Sequence, residues 1–201
     1  MFSALPDVIQ DELQQLTERY GSPLAKEVDL QATNTFDPLN KTDRYGEVCM
    51  VIRRKDGRLL TMVKSHYPKG TYRLLTGGIS HGEFIFDALL RETQEETGLQ
   101  VTVQRFLTAI AYQKNARMDG LTSVFYTFAF LLDEVSGELV AEDEDEQVED
   151  FRTVTVADLL TLAEHLEHMD VYDSAEQEAH WGDWGRFRAV AHRAVWEALQ
   201  V

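Results

Sequence analysis

Glu92, Glu95 and Glu96, with Arg91 before them and Gly77, Gly78 and Gly82 upstream, are the residues of this chain whose types and spacing point to chemistry. On a helix turning about 100° per residue, Glu95 lies about 60° to one side of Glu92 and Glu96 about 40° to the other, so three carboxylates share a narrow strip. Like charges at that spacing repel, and a hard divalent cation with oxygen ligands, Mg²⁺ or Mn²⁺, relieves the repulsion. Arg91 stands four residues before Glu95 and four after Asp87, placed to pair with both. The glycines form a turn that brings bare backbone close to an ion or a phosphate, and Gly98 suits the left-handed residue that ends a helix.

The stretch Gly77–Leu99 resembles the Nudix box. Gly77, Glu83, Arg91, Glu92, Glu95, Glu96, Gly98 and Leu99 occupy its fixed places, Thr93 stands at the usual aliphatic position, and the common Leu-Pro-Gly-Gly lead-in reads Leu74, Leu75, Thr76, Gly77. The resemblance implies an α/β/α sandwich and a Mg²⁺- or Mn²⁺-dependent pyrophosphohydrolase. Glu92, Glu95, Glu96 and a carbonyl near Thr76 or Gly77 would hold the metal. Glu95 or Glu96, with Arg91 and Glu83, would form the catalytic set, and Glu144 or Glu146 offers a base from a later loop. The implied reaction splits a nucleoside diphosphate linked to another group, a nucleotide sugar or a nucleoside triphosphate, into a nucleoside monophosphate and a phosphorylated product. The alternative is a module that binds a nucleotide metabolite without cleaving it. An isomerase of the isopentenyl diphosphate type shares the fold, but Cys49, the only thiol, lies in an apolar run.

The net charge of −16 argues against a nucleic-acid polymer as partner, because phosphate backbones require a basic footprint. Basic residues nevertheless cluster before the box at Arg53, Arg54, Lys55, Arg58, Lys64, Lys69 and Arg73, whereas Asp133 to Asp150 carries acids and no base. A small anionic substrate would meet that basic side; Arg53, Arg54 and Arg73 are candidates for its phosphates, and Tyr72 either lines the pocket or packs beneath it. The acidic run Glu142–Glu146 lacks the glycine and ligand alternation of a calcium loop. Trp181 and Trp184 read as core or subunit contacts, and His165, His168, His180 and His192 as surface or capping residues.

These groups need a scaffold. A hydrophobic fraction of 44% with 10% aromatics over 201 residues supports a folded core. The single cysteine excludes a disulfide framework and suits the cytoplasm, and no stretch reads as a signal peptide or membrane span. Residues 6–19 carry an amphipathic pattern through Ile9, Leu13, Leu16 and Tyr20, followed by an extended or irregular segment from Leu24 to Asn40. Strands are expected at Glu47–Arg53 and Leu59–Lys64 as a hairpin around Asp56-Gly57, at Tyr72–Leu75, and at Val101–Tyr112, Ser123–Leu132 and Phe151–Val156. Helices follow at Ala157–His168 and along Trp181–Leu199, while Phe86, Leu89, Leu90, Thr93 and Thr97 are expected to face the sheet from the box helix. The reading is an α/β protein with a mixed β-sheet between helices: an N-terminal extension (1–45), a Nudix-type domain (46–160) and a C-terminal helical extension (161–201), with the N-terminal part a possible homodimer contact.

Overall fold

A computed structural model describes residues 2–30, 42–114, 124–140, 147–169 and 181–201. Helix α1 (Asp7–Tyr20) leads into strand β1 (Leu24–Leu30), then β2 (Arg44–Arg53), β3 (Leu59–Lys64), β4 (Leu75–Ser80), helix α2 (Ile85–Thr97), β5 (Leu99–Lys114), β6 (Val124–Gly137), β7 (Val148–Val154), α3 (Asp158–Glu167) and α4 (Trp181–Ala198). The strands form one seven-stranded sheet in the order β1-β5-β6-β2-β3-β7, with β4 also paired to β2. It is a mixed sheet: β1 runs parallel to β5 and β2 parallel to β6, while β5 and β6 form the long antiparallel hairpin.

Alternation along β2 explains the layers, since successive side chains of a strand point to opposite faces. Val48, Met50 and Ile52 share a core with Ile9, Leu13 and Leu16 of α1 and Ile85, Ala88 and Leu89 of α2. Cys49 and Val51 point the other way, toward Leu159 of α3 and Val195 and Ala198 of α4. Helices therefore cover both faces, and the chain is an α/β/α sandwich. Every residue from Gly46 to Ile52 is buried, as expected for a strand covered on both sides. Among the described residues no helix is long and apolar enough to cross a membrane.

Of the segment expected to be extended or irregular, Leu24–Leu30 is extended, as β1, and joins the sheet beside β5. Three local expectations change. Instead of a strand at Tyr72–Leu75, Arg73 makes only an isolated bridge to Met62, and β4 starts at Leu75. The Asp56-Gly57 turn forms, with Gly57 at φ +83° and its N–H donated to Arg54 O at 2.8 Å. Beyond it, however, β2 and β3 register only at Arg53 and Leu59, because β4 takes the edge of β2 and β3 turns to β7. Finally, Gly77 and Gly78 do not form a loop. They lie inside β4 opposite Val48 and Glu47, and only Gly82, at φ +84°, makes the turn into α2.

Candidate active site

Helix α2 ends as its sequence requires: Gly98 is left-handed at φ 63° and donates its N–H to Gln94 O at 2.8 Å. Its buried face consists of Ile85, Ala88, Leu89, Glu92, Thr93, Glu96 and Thr97, while Leu90 is 42% exposed. The helix is thus rolled away from the expected arc, carrying two of the three glutamates inward. Thr93 sits on the core side, and its hydroxyl is satisfied by donating to Leu89 O at 2.6 Å, as Thr97 does to Thr93 O at 2.5 Å. A threonine at the usual aliphatic place therefore leaves no polar atom stranded.

Arg91 organises the acids. Its guanidinium donates to both Glu83 carboxylate oxygens at 2.8 and 3.0 Å, to Glu92 Oε1 and Glu95 Oε2 at 2.9 Å each, and to Gly78 O at 3.0 Å. The partner on the N-terminal side is Glu83 rather than Asp87. Glu83 precedes the helix instead of starting it and also accepts the Ser80 N–H at 3.0 Å. Burial pushes its carboxyl up, but the Arg91 and Ser80 bonds outweigh that and hold it below the usual carboxylate range. Arg91 is correspondingly raised, chiefly by its bond to Glu83.

Beneath this network Gly77 touches Glu92. A Cβ at Gly77 would overlap the Glu92 carboxylate, and one at Gly78 would overlap the Arg44 guanidinium. Glu96 is fully buried, with Lys64 Nζ 3.5 Å from its Oε1. Repulsion along the strip is therefore relieved by Arg91 and Lys64, and among the described residues no three His, Cys, Asp or Glu side chains converge as a ready-made metal site. The donor chemistry still suits a hard cation: three carboxylates on one helix, packed over a backbone that only glycine leaves open.

The substrate-binding candidates disperse. Arg53 makes a two-pronged pair with Asp133 at 2.7 and 2.9 Å, and Arg54 pairs with Glu134 at 2.6 Å. Both lie about 17 Å or more along β2 from Val48, the residue opposite Gly77. Arg73 is 1% exposed and donates to Leu74 O, Thr76 Oγ1 and Tyr67 OH at 2.8, 3.0 and 3.0 Å, so it braces the approach to β4 from within. Tyr72 donates to Asp150 at 2.5 Å and lies under Arg152, packed onto β7. Glu144 and Glu146 lie outside the described residues.

Several polar groups near the site take roles that the sequence reading did not assign. Lys64, the last residue of β3, meets Glu96. Glu47, in the otherwise apolar β2 and opposite Gly78, accepts from Arg188 of α4 at 2.6 Å and from Thr127 Oγ1 at 3.0 Å. His192, expected at the surface or as a cap, is buried; its Nε2 accepts the Leu74 N–H at 3.0 Å, which leaves Nδ1 to donate to Arg188 O at 2.8 Å. Burial pushes that imidazole down to about 4. A charged residue inside an apolar strand, and Arg188 and His192 at i and i+4, were the available signals. Trp181 and Trp184 form a core cluster with Tyr67, their rings 5.2 Å apart, in line with the core alternative. His165 and His168 are exposed, and His180 lies outside the described residues.

A family profile described as the NUDIX domain matches residues 44–174. The chain belongs to the Nudix hydrolase family. Curated relatives of this Nudix hydrolase include an ADP-ribose pyrophosphatase of Methanocaldococcus jannaschii, 29% identical over 67% of this chain and 74% of that protein. Another is Nudix hydrolase 6 of Arabidopsis thaliana, 29% identical over 44% of this chain but only 32% of its relative. Among solved structures, a UDP-X diphosphatase superposes with a TM-score of 0.49 at 15% identity, covering 84% of this chain and 67% of that one.

Proposed function

We propose that this Nudix hydrolase splits the phosphoric anhydride of a nucleoside diphosphate joined to a sugar, releasing a nucleoside monophosphate and a sugar phosphate. The observation that carries the reading is the Arg91 network over Gly77, in which Glu83, Glu92, Glu95 and the Gly78 carbonyl are gathered by one guanidinium. Such a construction holds several carboxylates near one another without burying them in fixed one-to-one pairs. The sugar-linked diphosphate is favoured over a nucleoside triphosphate by the similarity to the ADP-ribose pyrophosphatase.

Glu92, Glu96 and the Gly77 carbonyl would hold Mg²⁺ or Mn²⁺, which when bound neutralises charge on the phosphate oxygens and acidifies an attacking water. Glu96, buried beside Lys64, is suited to a ligand's role. Glu83 is a poor proton acceptor, because Arg91 and Ser80 keep it ionised and engaged. Glu95 has a side chain 37% exposed and is the most open to water of the four box glutamates, so of its two expected roles, metal ligand and base, we assign it the second, taking the proton of the attacking water. Arg91 is also bonded to Glu83 and the Gly78 carbonyl, so it would stay in place if the other acids turned toward a metal.

The test is a panel of nucleoside diphosphate derivatives with Mg²⁺ or Mn²⁺, reading phosphate after phosphatase treatment. Turnover of a nucleotide sugar is expected. Glu95→Gln and Glu96→Gln should each lower kcat by about 100-fold or more with little change in melting temperature, and only Glu96→Gln should also abolish Mn²⁺ binding. Tight binding of one compound with no turnover of any would replace this reading with that of a nucleotide sensor.

A further inference from the structure

Helix α2 carries the proposed metal ligands, yet it lacks a cap of its own. Its N-cap residue is Phe84, whose side chain makes no capping bond. Helix N-termini leave N–H groups without intrahelical partners, and a buried one needs an acceptor from elsewhere. That acceptor comes from 73 residues upstream: the Glu12 carboxylate takes the Ile85 N–H on Oε2 at 2.8 Å and the Phe86 N–H on Oε1 at 2.9 Å.

The position of Glu12 argues for a dedicated role. Ile9, Glu12, Leu13 and Leu16 fall at i, i+3, i+4 and i+7, so Glu12 stands in the apolar stripe of α1 where a leucine would pack, and it is 8% exposed. Burial keeps its carboxyl above the usual carboxylate range, although the two amides pull it down. A buried carboxylate here is tolerable because it meets two N–H groups at the positive end of a helix. The surrounding contacts tie the same turn: Tyr20 stacks on Phe86 at 5.9 Å with Arg19 over both rings, and the Tyr45 hydroxyl donates to Glu83 O at 3.1 Å.

What this clamp secures follows from the far end of the helix. Glu92 rests against the bare backbone of Gly77 with no room for a methyl group, so α2 must keep its position along its axis. We propose that Glu12 is a positioning residue: α1 supplies the N-cap that α2 lacks and thereby sets where Glu92 and Glu96 are presented to the metal. This rests on the metal reading given above. The N-terminal helix is then part of the active-site framework, acting through α2 without touching substrate.

Full-length Glu12→Gln tests it, since the glutamine keeps the shape but turns an NH2 group against one of the two donors. Hydrogen exchange at the Ile85 and Phe86 amides should accelerate. Mn²⁺ should bind about tenfold more weakly, the usual scale for losing a group that orients a ligand. The kcat on the nucleotide sugar should fall while KM holds. Leu13→Ala, which loosens α1 without touching the cap, should lower the melting temperature and leave Mn²⁺ affinity unchanged when measured well below it. Should Glu12→Gln fail to fold, Glu12→Asp, which keeps the charge but shortens the reach, provides the same readouts. Mn²⁺ affinity in the Glu12 variant equal to the wild type overturns the positioning role alone. Failure of the wild type to bind Mn²⁺ at all overturns the metal reading and this inference together.

Discussion

Arg91 on α2 and Arg188 on α4 both hold carboxylates against the sheet, yet they do so in opposite ways. The Arg91 side chain is 37% exposed and shared among Glu83, Glu92 and Glu95. The Arg188 side chain is 14% exposed and is paired with Glu47 alone among the described acids. A shared, half-open cation lets its acids turn to another positive charge at small cost, because water and the remaining acid compensate the loss. A one-to-one pair under a helix has no such alternative, so separating it leaves a buried charge. The difference separates a cluster suited to exchanging ligands from one suited to holding α4 on the sheet.

The sharpest way to break this contrast is Glu47→Ala. It strands the Arg188 guanidinium and should cost about 3 to 5 kcal/mol in urea unfolding; a loss under about 1 kcal/mol would mean that the α4 cluster is as yielding as the α2 one. His192 comes next. Its folded value is lowered from 6.5 to about 4 by burial, so the unfolded chain takes up the proton first. The neutral ring's contribution is therefore complete above pH 6.5 and is lost as pH falls toward 4, by at most about 3 kcal/mol. In His192→Gln, stability should fall less steeply across that window, and an unchanged slope would contradict the buried neutral ring.

On the α2 side, Gly77→Ala sharpens the comparison. The added methyl meets the Glu92 carboxylate and should cost about 1 to 3 kcal/mol by overpacking, and it should remove Mn²⁺ binding as well. Retained Mn²⁺ affinity would show that Glu92 has room the packing denies it. The smallest effect belongs to Arg53→Ala. Its pair with Asp133 is solvent-exposed and distant from Gly77, so stability should change by less than about 1 kcal/mol, with kcat/KM unaltered. A clear drop in kcat/KM would return Arg53 to the substrate pocket.

Local signals explain what could be read in advance. The box helix follows from glutamate spacing and from Gly98, and the β5–β6 hairpin from two apolar runs joined by polar residues, since both depend on neighbours in sequence. For LAKEVDL the sequence leaves extended and irregular readings both open, because its apolar residues alternate weakly and its partner, β5, lies more than 80 residues away. The glycines before α2 suggested a loop, yet glycine also serves a strand that must lie directly under another side chain, as Gly77 does beneath Glu92. Arg53 and Arg54 were favoured for closeness to the box in sequence. β2 carries them away from it, while Lys64, from the same basic cluster but not singled out, ends beside Glu96.

The sequence by itself determined the family, the acids that gather on α2 and the helix stop behind them, because these depend on residue type and on intervals of a few positions. Only the tertiary structure decided which acids go inside, which cations meet them and what caps α2. Each of those pairings joins elements far apart along the chain, Glu12 to Ile85, Lys64 to Glu96 and Glu47 to Arg188, and exists only once the sheet has brought their strands and helices together.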